Sequence, residues 1–448
     1  MSRAADRSLD AIRRAAPLFE RVTKETRLLE AIQWPHEVEE RFFAQGAKEL
    51  PKPEYEIDRE LATKNAIELD ELAMTLDVGD PIQRWLTQVA RSYADGNRLL
   101  LAVGTPRFHA ISVDVYGGPK SWFDHDTTNL DLAEHLAARL FGERGVTVAP
   151  KEDKSAKEGP ASLRDKLHTP VPGRAGSHRL DAQAFAERIT KMSGKIGLEI
   201  DVVVDERVTA KVVAGSSRVR VRAGATFHRL EVEGLFVHEV ETHALTAQNG
   251  AAQPELRFLK SGGPRTTRTQ EGLAVFSEFY AHALLIERMK RIVERVRLVA
   301  IAEDGATFLD LYRHLIDLGA SERDAYLDAQ RICRGGMVEG RAPFTKDASY
   351  LAGFVEVFSF LQVAVRGGAR EAVEMLACGR IAIDDLAVLL ELKRRGILRP
   401  AKYTPRWLDA WDGLLPFFAF ASFLHEIDLN DVSKRHQEIL SATQTPLV

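Results

Sequence analysis

Two histidines and a glutamate fall in one short stretch, Gly234-Leu235-Phe236-Val237-His238-Glu239-Val240-Glu241-Thr242-His243-Ala244-Leu245. Imidazoles and carboxylates are the ligand types of a hydrolytic zinc site, which takes three protein groups and keeps one position for water. That water needs a carboxylate beside it to accept its proton. A glutamate directly after a ligand histidine on a helix points to the same side. His238 and His243 are therefore candidate ligands and Glu239 the candidate catalytic base. Apolar neighbours and the absence of proline put the stretch on a helix. In the familiar arrangement the histidines stand at i and i+4, on one helix face. Here they stand at i and i+5, roughly 140° apart on a regular helix. One metal can take both only if the helix carries an extra residue, as a π-bulge does, and such bulges recur at functional sites.

A third ligand is expected from Thr269-Gln270-Glu271-Gly272-Leu273-Ala274, read as the start of the next long helix, Gln270 to about Glu303. An antiparallel return would bring Glu271, 28 residues after His243, back beside the histidines, and Gly272 would allow close approach. Glu278, seven residues further, is the competing ligand or a partner that orients a ligand histidine. Glu241 is read as solvent-facing or supporting. A di-iron carboxylate centre needs two Glu-x-x-His elements, whereas this chain offers Glu239-x-x-x-His243, so Zn²⁺ is the expected cofactor. The other His-Glu pairs, His36-Glu37 and His425-Glu426, have no second histidine nearby.

Groups that could hold a substrate are less specific. A terminal carboxylate suits the bidentate fork of arginine. Arg265 and Arg268 precede Glu271, and Arg334 and Arg341 flank Gly335-Gly336. Tyr350 or Lys346 could stabilise a developing oxyanion. His228, ten residues before His238, is a possible substrate contact. Arg218 to Arg222 could present a strand edge to an extended peptide.

The elements around these residues read as mixed α and β. The N-terminal part has helices from Ala4 to about Ile32, Asp58 to Leu76, Pro81 to Tyr93 and Leu130 to Phe141. Asp95-Gly96-Asn97 reads as a turn, followed by paired strands at Leu99 to Val103 and His109 to Tyr116. The polar, proline-bounded run Pro150 to Pro160 cannot bury apolar surface and opens a linker or mobile loop over 151–176. It separates an N-terminal α/β domain (1–150) from a metallopeptidase domain (177–448). After it come a helix (Asp181 to Met192), strands at Leu198 to Val204, Val208 to Val213 and Arg218 to Arg222, and a hairpin turn at Ala214 to Ser217. The motif helix would run from Thr226, a good N-cap, to about Asn249, with Gly250 as its stop. Nearly everything beyond Thr307 has helical spacing.

The chain of 448 residues is 45% hydrophobic and 28% charged, ordinary for a globular protein large enough for two or three domains. A net charge of −4 gives no reason to expect nucleic acid. Two distant cysteines, Cys333 and Cys378, suit a reducing cytoplasm. The charge-rich start is unlike a secretory signal, and the apolar block Leu414 to Leu424 is too short to span a membrane. A cytoplasmic protein with no membrane role is the expectation; the oligomeric state is open.

His238 to His243 together with Gln270-Glu271-Gly272-Leu273-Ala274 resemble the "flavohemoglobin expression-modulating QEGLA motif" family, whose eukaryotic relatives include the microtubule-associated tyrosine carboxypeptidase. The likeness extends to Gly117-Gly118-Pro119, to Phe344-Thr345-Lys346-Asp347-Ala348-Ser349-Tyr350-Leu351-Ala352-Gly353 and to Ala377-Cys378-Gly379-Arg380. It implies a zinc-dependent peptidase with His238, His243 and Glu271 as ligands and Glu239 as base, acting on a peptide or protein C-terminus. It does not imply which substrate. The expected fold class is α+β, with a mostly helical C-terminal half and a zincin-like core preceded by a small β-hairpin or sheet. The rival reading is a regulatory protein that binds a metal and turns nothing over.

Overall fold

The computed structural model describes residues 3–141 and 179–426, apart from 207, 209 and 216. The expected linker at 151–176 lies outside these residues. The fold is mostly helical with two small sheets, an α+β architecture. The largest apolar cluster joins Phe19, Leu86 and Tyr93 of the first hundred residues to Phe227, Phe236, Val240 and Phe258 around the motif helix.

Four local expectations give way to tertiary packing. Asp95-Gly96-Asn97 is no turn: Pro81–Ala102 is one helix, started by Pro81 behind Asp80, whose carboxylate accepts from the Ile82 and Gln83 amides. Gly96 is buried, and the Asn97 side chain is satisfied inside the helix by Tyr93 O and the Thr26 hydroxyl. Those partners outweigh the turn preference of the tripeptide. The strands expected at Leu99 to Val103 and His109 to Tyr116 are the end of that helix and a second one, Pro106–Tyr116. The single helix expected from Gln270 to Glu303 is two, Pro264–Tyr280 and Ile286–Glu303. His282 breaks it with a φ of 53°, and the Ala283 and Leu284 amides turn back onto Glu278 O.

The three-stranded sheet has the order Asp201–Asp205, Arg218–Arg222, Val212–Ala214. The first pair is parallel, with Val202 opposite Val219; the second is the expected hairpin, with Val213 opposite Arg220. Arg218–Arg222 is thus the central strand, so it has no free edge for a peptide. Its arginines are engaged as well, Arg218 with Asp201 and Arg220 with Glu30. The edge strand beside the motif helix is Val212–Ala214.

The motif helix starts at Arg229, not behind Thr226. His228 caps it: its Nδ1 accepts from the Leu230 amide, while the Glu231 carboxylate accepts from the His228 amide. From Phe236 to Ala244 the helix widens to a π-helix, then resumes as Leu245–Ala251.

Two glycines set where Glu271 lies. The Pro264–Tyr280 helix crosses Ser349–Arg366 so closely that a Cβ on Gly272 would stand 2.1 Å from Gly353 O. The reverse holds too, since a Cβ on Gly353 would stand 2.1 Å from Arg268 O. The Thr345–Arg366 stretch is long and apolar enough to cross a membrane, but more than half of its most apolar window is buried in this packing. Gly272→Ala should therefore destabilise the protein by about 3 kcal/mol, the upper end for overpacking, measured by urea or thermal unfolding. Gly194→Ala, with no heavy atom within 4 Å of the added Cβ, should not.

Candidate metal centre

The π-helix resolves the awkward spacing. The wider turn brings His238 and His243 to one face, with ring centroids 5.0 Å apart and planes at 85°. The Thr242 hydroxyl donates to Val237 O, five residues back, and meets the Ser277 hydroxyl on the neighbouring helix. Side-chain bonds across the helix pair thus accompany the bulge.

Glu271 comes from that neighbouring helix. It was expected in the first turn, but the helix begins at Pro264, so Glu271 sits about two turns inside. Its placement owes nothing to the helix dipole. Its Oε2 lies 3.7 Å from His238 Nε2 and 3.6 Å from His243 Nε2. Both separations exceed a hydrogen bond, and this buried oxygen has no donor. Three ligand atoms, one from each residue, lie within 4.8 Å of one another. Tetrahedral zinc bonds of about 2.1 Å place ligand atoms roughly 3.4 Å apart, close to the two separations found. An orphaned carboxylate oxygen facing two ring nitrogens is a donor set that a divalent cation would complete.

The surrounding groups fix the chemical state of these three. Glu278 Oε1 is 2.7 Å from His238 Nδ1. Burial alone would raise the Glu278 carboxyl, but Arg288 and His238 hold it below the usual carboxylate range. As an ionised acceptor it assigns the proton to Nδ1 and leaves Nε2 with its lone pair toward Glu271. Glu278 thus meets His238 on the nitrogen away from Glu271, and it is not among the three residues whose ligand atoms converge. Burial lowers the pKa of His243, which favours its neutral, ligating form. Burial would also raise Glu271, yet Lys346 and the imidazoles hold it well below the ordinary range. Lys346 Nζ donates to Glu271 Oε1 at 2.8 Å, leaving Oε2 for the centre.

Glu239 lines a cleft of about 1280 Å³ together with His238, His243 and Glu271. Its Oε2 accepts from the Ala214 amide at 3.1 Å, so the sheet edge fixes the carboxylate. Burial, with the Glu271 charge nearby, pushes its pKa up to about 7 against the pull of His243 and the Ala214 amide. Glu241 is buried and paired with Arg406 at 2.6 Å, contrary to the solvent-facing reading.

The remaining candidates separate. Tyr350, Lys346 and Arg334 line the cleft. Arg265 is paired with Asp385, and Arg268 with Glu356 beneath Phe123. Arg341 is exposed, with its amide bonded to Ala302 O. None of these three, nor the helix cap His228, is among the cleft-lining residues. Lys346 is committed to Glu271 and lies 5.1 Å from the Tyr350 ring centre. Three further arginines line the cleft and were not among the candidates, Arg27, Arg331 and Arg380. Arg380 donates to Ala214 O at 3.4 Å and His243 O at 3.3 Å, tying the sheet edge to the motif turn. Only its place in Cys378-Gly379-Arg380 could have signalled it, and that segment carries no chemical pattern of its own.

Glu278→Gln removes the charge that orients His238 and should weaken Zn²⁺ binding about 10- to 100-fold, measured by competition with a chromogenic chelator. The sequence profile described as microtubule-associated tyrosine carboxypeptidase matches residues 40–176 and 137–426. No curated protein matches the chain.

Proposed function

From the premise that this chain belongs to the microtubule-associated tyrosine carboxypeptidase family, we propose that it is a zinc-dependent, carboxypeptidase-like peptidase with a zincin-like core. The observation that carries the reading is the buried Glu271 Oε2, without a donor and 3.6–3.7 Å from the two imidazole nitrogens. His238, His243 and Glu271 would hold Zn²⁺. The ion supplies a Lewis acid that acidifies water and polarises a peptide carbonyl.

The chain's own groups account for the proton traffic and the positioning. Glu239, fixed by the Ala214 amide, takes a proton from the attacking water and returns it to the leaving amine. Its raised pKa suits both tasks near neutral pH. Lys346 keeps Glu271 ionised, and Glu278 keeps the His238 ring in register. Tyr350, at the cleft wall beside Lys346, is the remaining donor for the developing oxyanion, because Lys346 is occupied by Glu271. The family's name supports a peptide or protein C-terminus as substrate.

Glu239→Gln separates the enzyme from a protein that only binds metal. It should keep bound zinc at wild-type stoichiometry while peptide hydrolysis falls about 10²- to 10⁴-fold, read by digestion of a peptide library and mass spectrometry. Unchanged cleavage by the variant, or no cleavage by the zinc-loaded wild type, would sink the reading.

A further inference from the structure

Among the described residues, eight lysines and arginines line the cleft, and six of them are matched. Arg27 and Arg220 pair with Glu30, Arg218 with Asp201, Lys260 with Glu20, Arg331 with Asp347 through two bonds of 2.7 and 2.9 Å, and Lys346 with Glu271. The other two, Arg380 and Arg334, form no ion pair among these residues, and each has a buried Nε without an acceptor. Arg380 is anchored by the Ala214 and His243 carbonyls. Arg334 has no such anchor, and among the described residues no carboxylate lies within 4.0 Å of its guanidinium. The guanidinium lies over the Phe344 ring, 5.8 Å from its centre, a neighbour that supplies no charge. Burial and the neighbouring Arg331 pull its pKa down to about 10 against the opposing effect of Asp347. It lines the same cleft as Glu239 and the three candidate ligands, and Tyr350 and Lys346 line it too.

A guanidinium in such a place presents a planar fork of donors, the geometry a carboxylate meets with two bonds. The other arginines considered have partners: Arg265 and Arg268 hold glutamate or aspartate, and Arg380 bridges two backbone carbonyls. We infer that Arg334 is the receptor for the terminal α-carboxylate of a peptide bound across the candidate metal centre. This rests on the proposed peptidase function and deepens it. A free chain end neutralises the unmatched charge, whereas an internal segment or an amidated end leaves it buried and unpaired. Discrimination between exo- and endopeptidase action then comes from one side chain.

The probes are a peptide mixture randomised at its last two positions, prepared as free acid and as C-terminal amide. The zinc-loaded wild type should cleave the acid about 10- to 100-fold better in kcat/KM, the worth of a charge-assisted pair. Arg334→Ala should lose that factor on the acid, chiefly through KM, and treat acid and amide alike. Arg334→Lys, a point charge without the fork, should recover part of the preference. Arg341→Ala, outside the cleft, should behave as wild type. A parallel measurement uses fluorescence anisotropy of the labelled mixture on the Glu239→Gln protein, which needs no turnover. Tighter binding of the acid that vanishes on adding Arg334→Ala supports the receptor even if no hydrolysis is found, in which case the peptidase reading fails alone. Equal binding of acid and amide by the Arg334-containing protein, or a preference that survives Arg334→Ala with an unchanged thermal midpoint, would overturn the inference.

Discussion

One extra residue in a helical turn is the constraint on which the candidate centre depends. On a regular helix His238 and His243 would point roughly 140° apart, and no single ion could reach both. The π-helix over Phe236–Ala244 closes that angle, leaving the ring centroids 5.0 Å apart. A π turn stretches the usual backbone hydrogen bonding and persists only where surrounding structure compensates. Here the compensation comes from a neighbour packed along the turn, where Thr242 meets Ser277 and His238 meets Glu278. The same neighbour contributes Glu271. The bulge and the third candidate ligand are therefore one packing problem with one solution.

That solution concentrates charge in a buried place. Six carboxylates and cations, buried or nearly so, are matched in pairs: Glu278 with Arg288, Asp347 with Arg295 and Glu271 with Lys346. Buried charges are tolerated only when paired and hydrogen-bonded, because desolvation costs several kcal/mol for each ion. The pairs hold carboxylates ionised that burial alone would protonate, as with Asp347 and Glu271, both kept below their ordinary range. Among the described residues, the buried charged atoms left without a partner in the cleft include Glu271 Oε2 and the Nε of Arg334. One is an anion facing two ring nitrogens and the other a cation lining the cleft. Their signs are those expected where a cation and an anionic ligand are to be received.

The centre is also tied to the sheet. Ala214 donates its amide to Glu239 and offers its carbonyl to Arg380, which reaches the His243 carbonyl at the same time. A three-residue edge strand thus fixes Glu239 relative to the candidate ligands through backbone groups. Such a role leaves no mark in composition or spacing.

Much of the centre was legible in the chain itself. Residue type decides what can bind a metal or take a proton, and the spacing of His238 and His243 by itself demands a widened helix if one ion is to meet both. Glycine beside Glu271 signalled a close crossing, which Gly353 completes. The fold class and the hairpin were readable for a related reason, since periodicity and turn chemistry are local. The turn at Asp95-Gly96-Asn97 and the strands after it were misread, because Tyr93, Thr26 and a buried environment outweigh local preference. What the tertiary structure alone decided is partnership. Lys346 finds Glu271 from 75 positions away, and Glu278 meets His238 from 40. Which arginine remains unmatched depends on which carboxylates fold beside the others, and no local pattern encodes that subtraction.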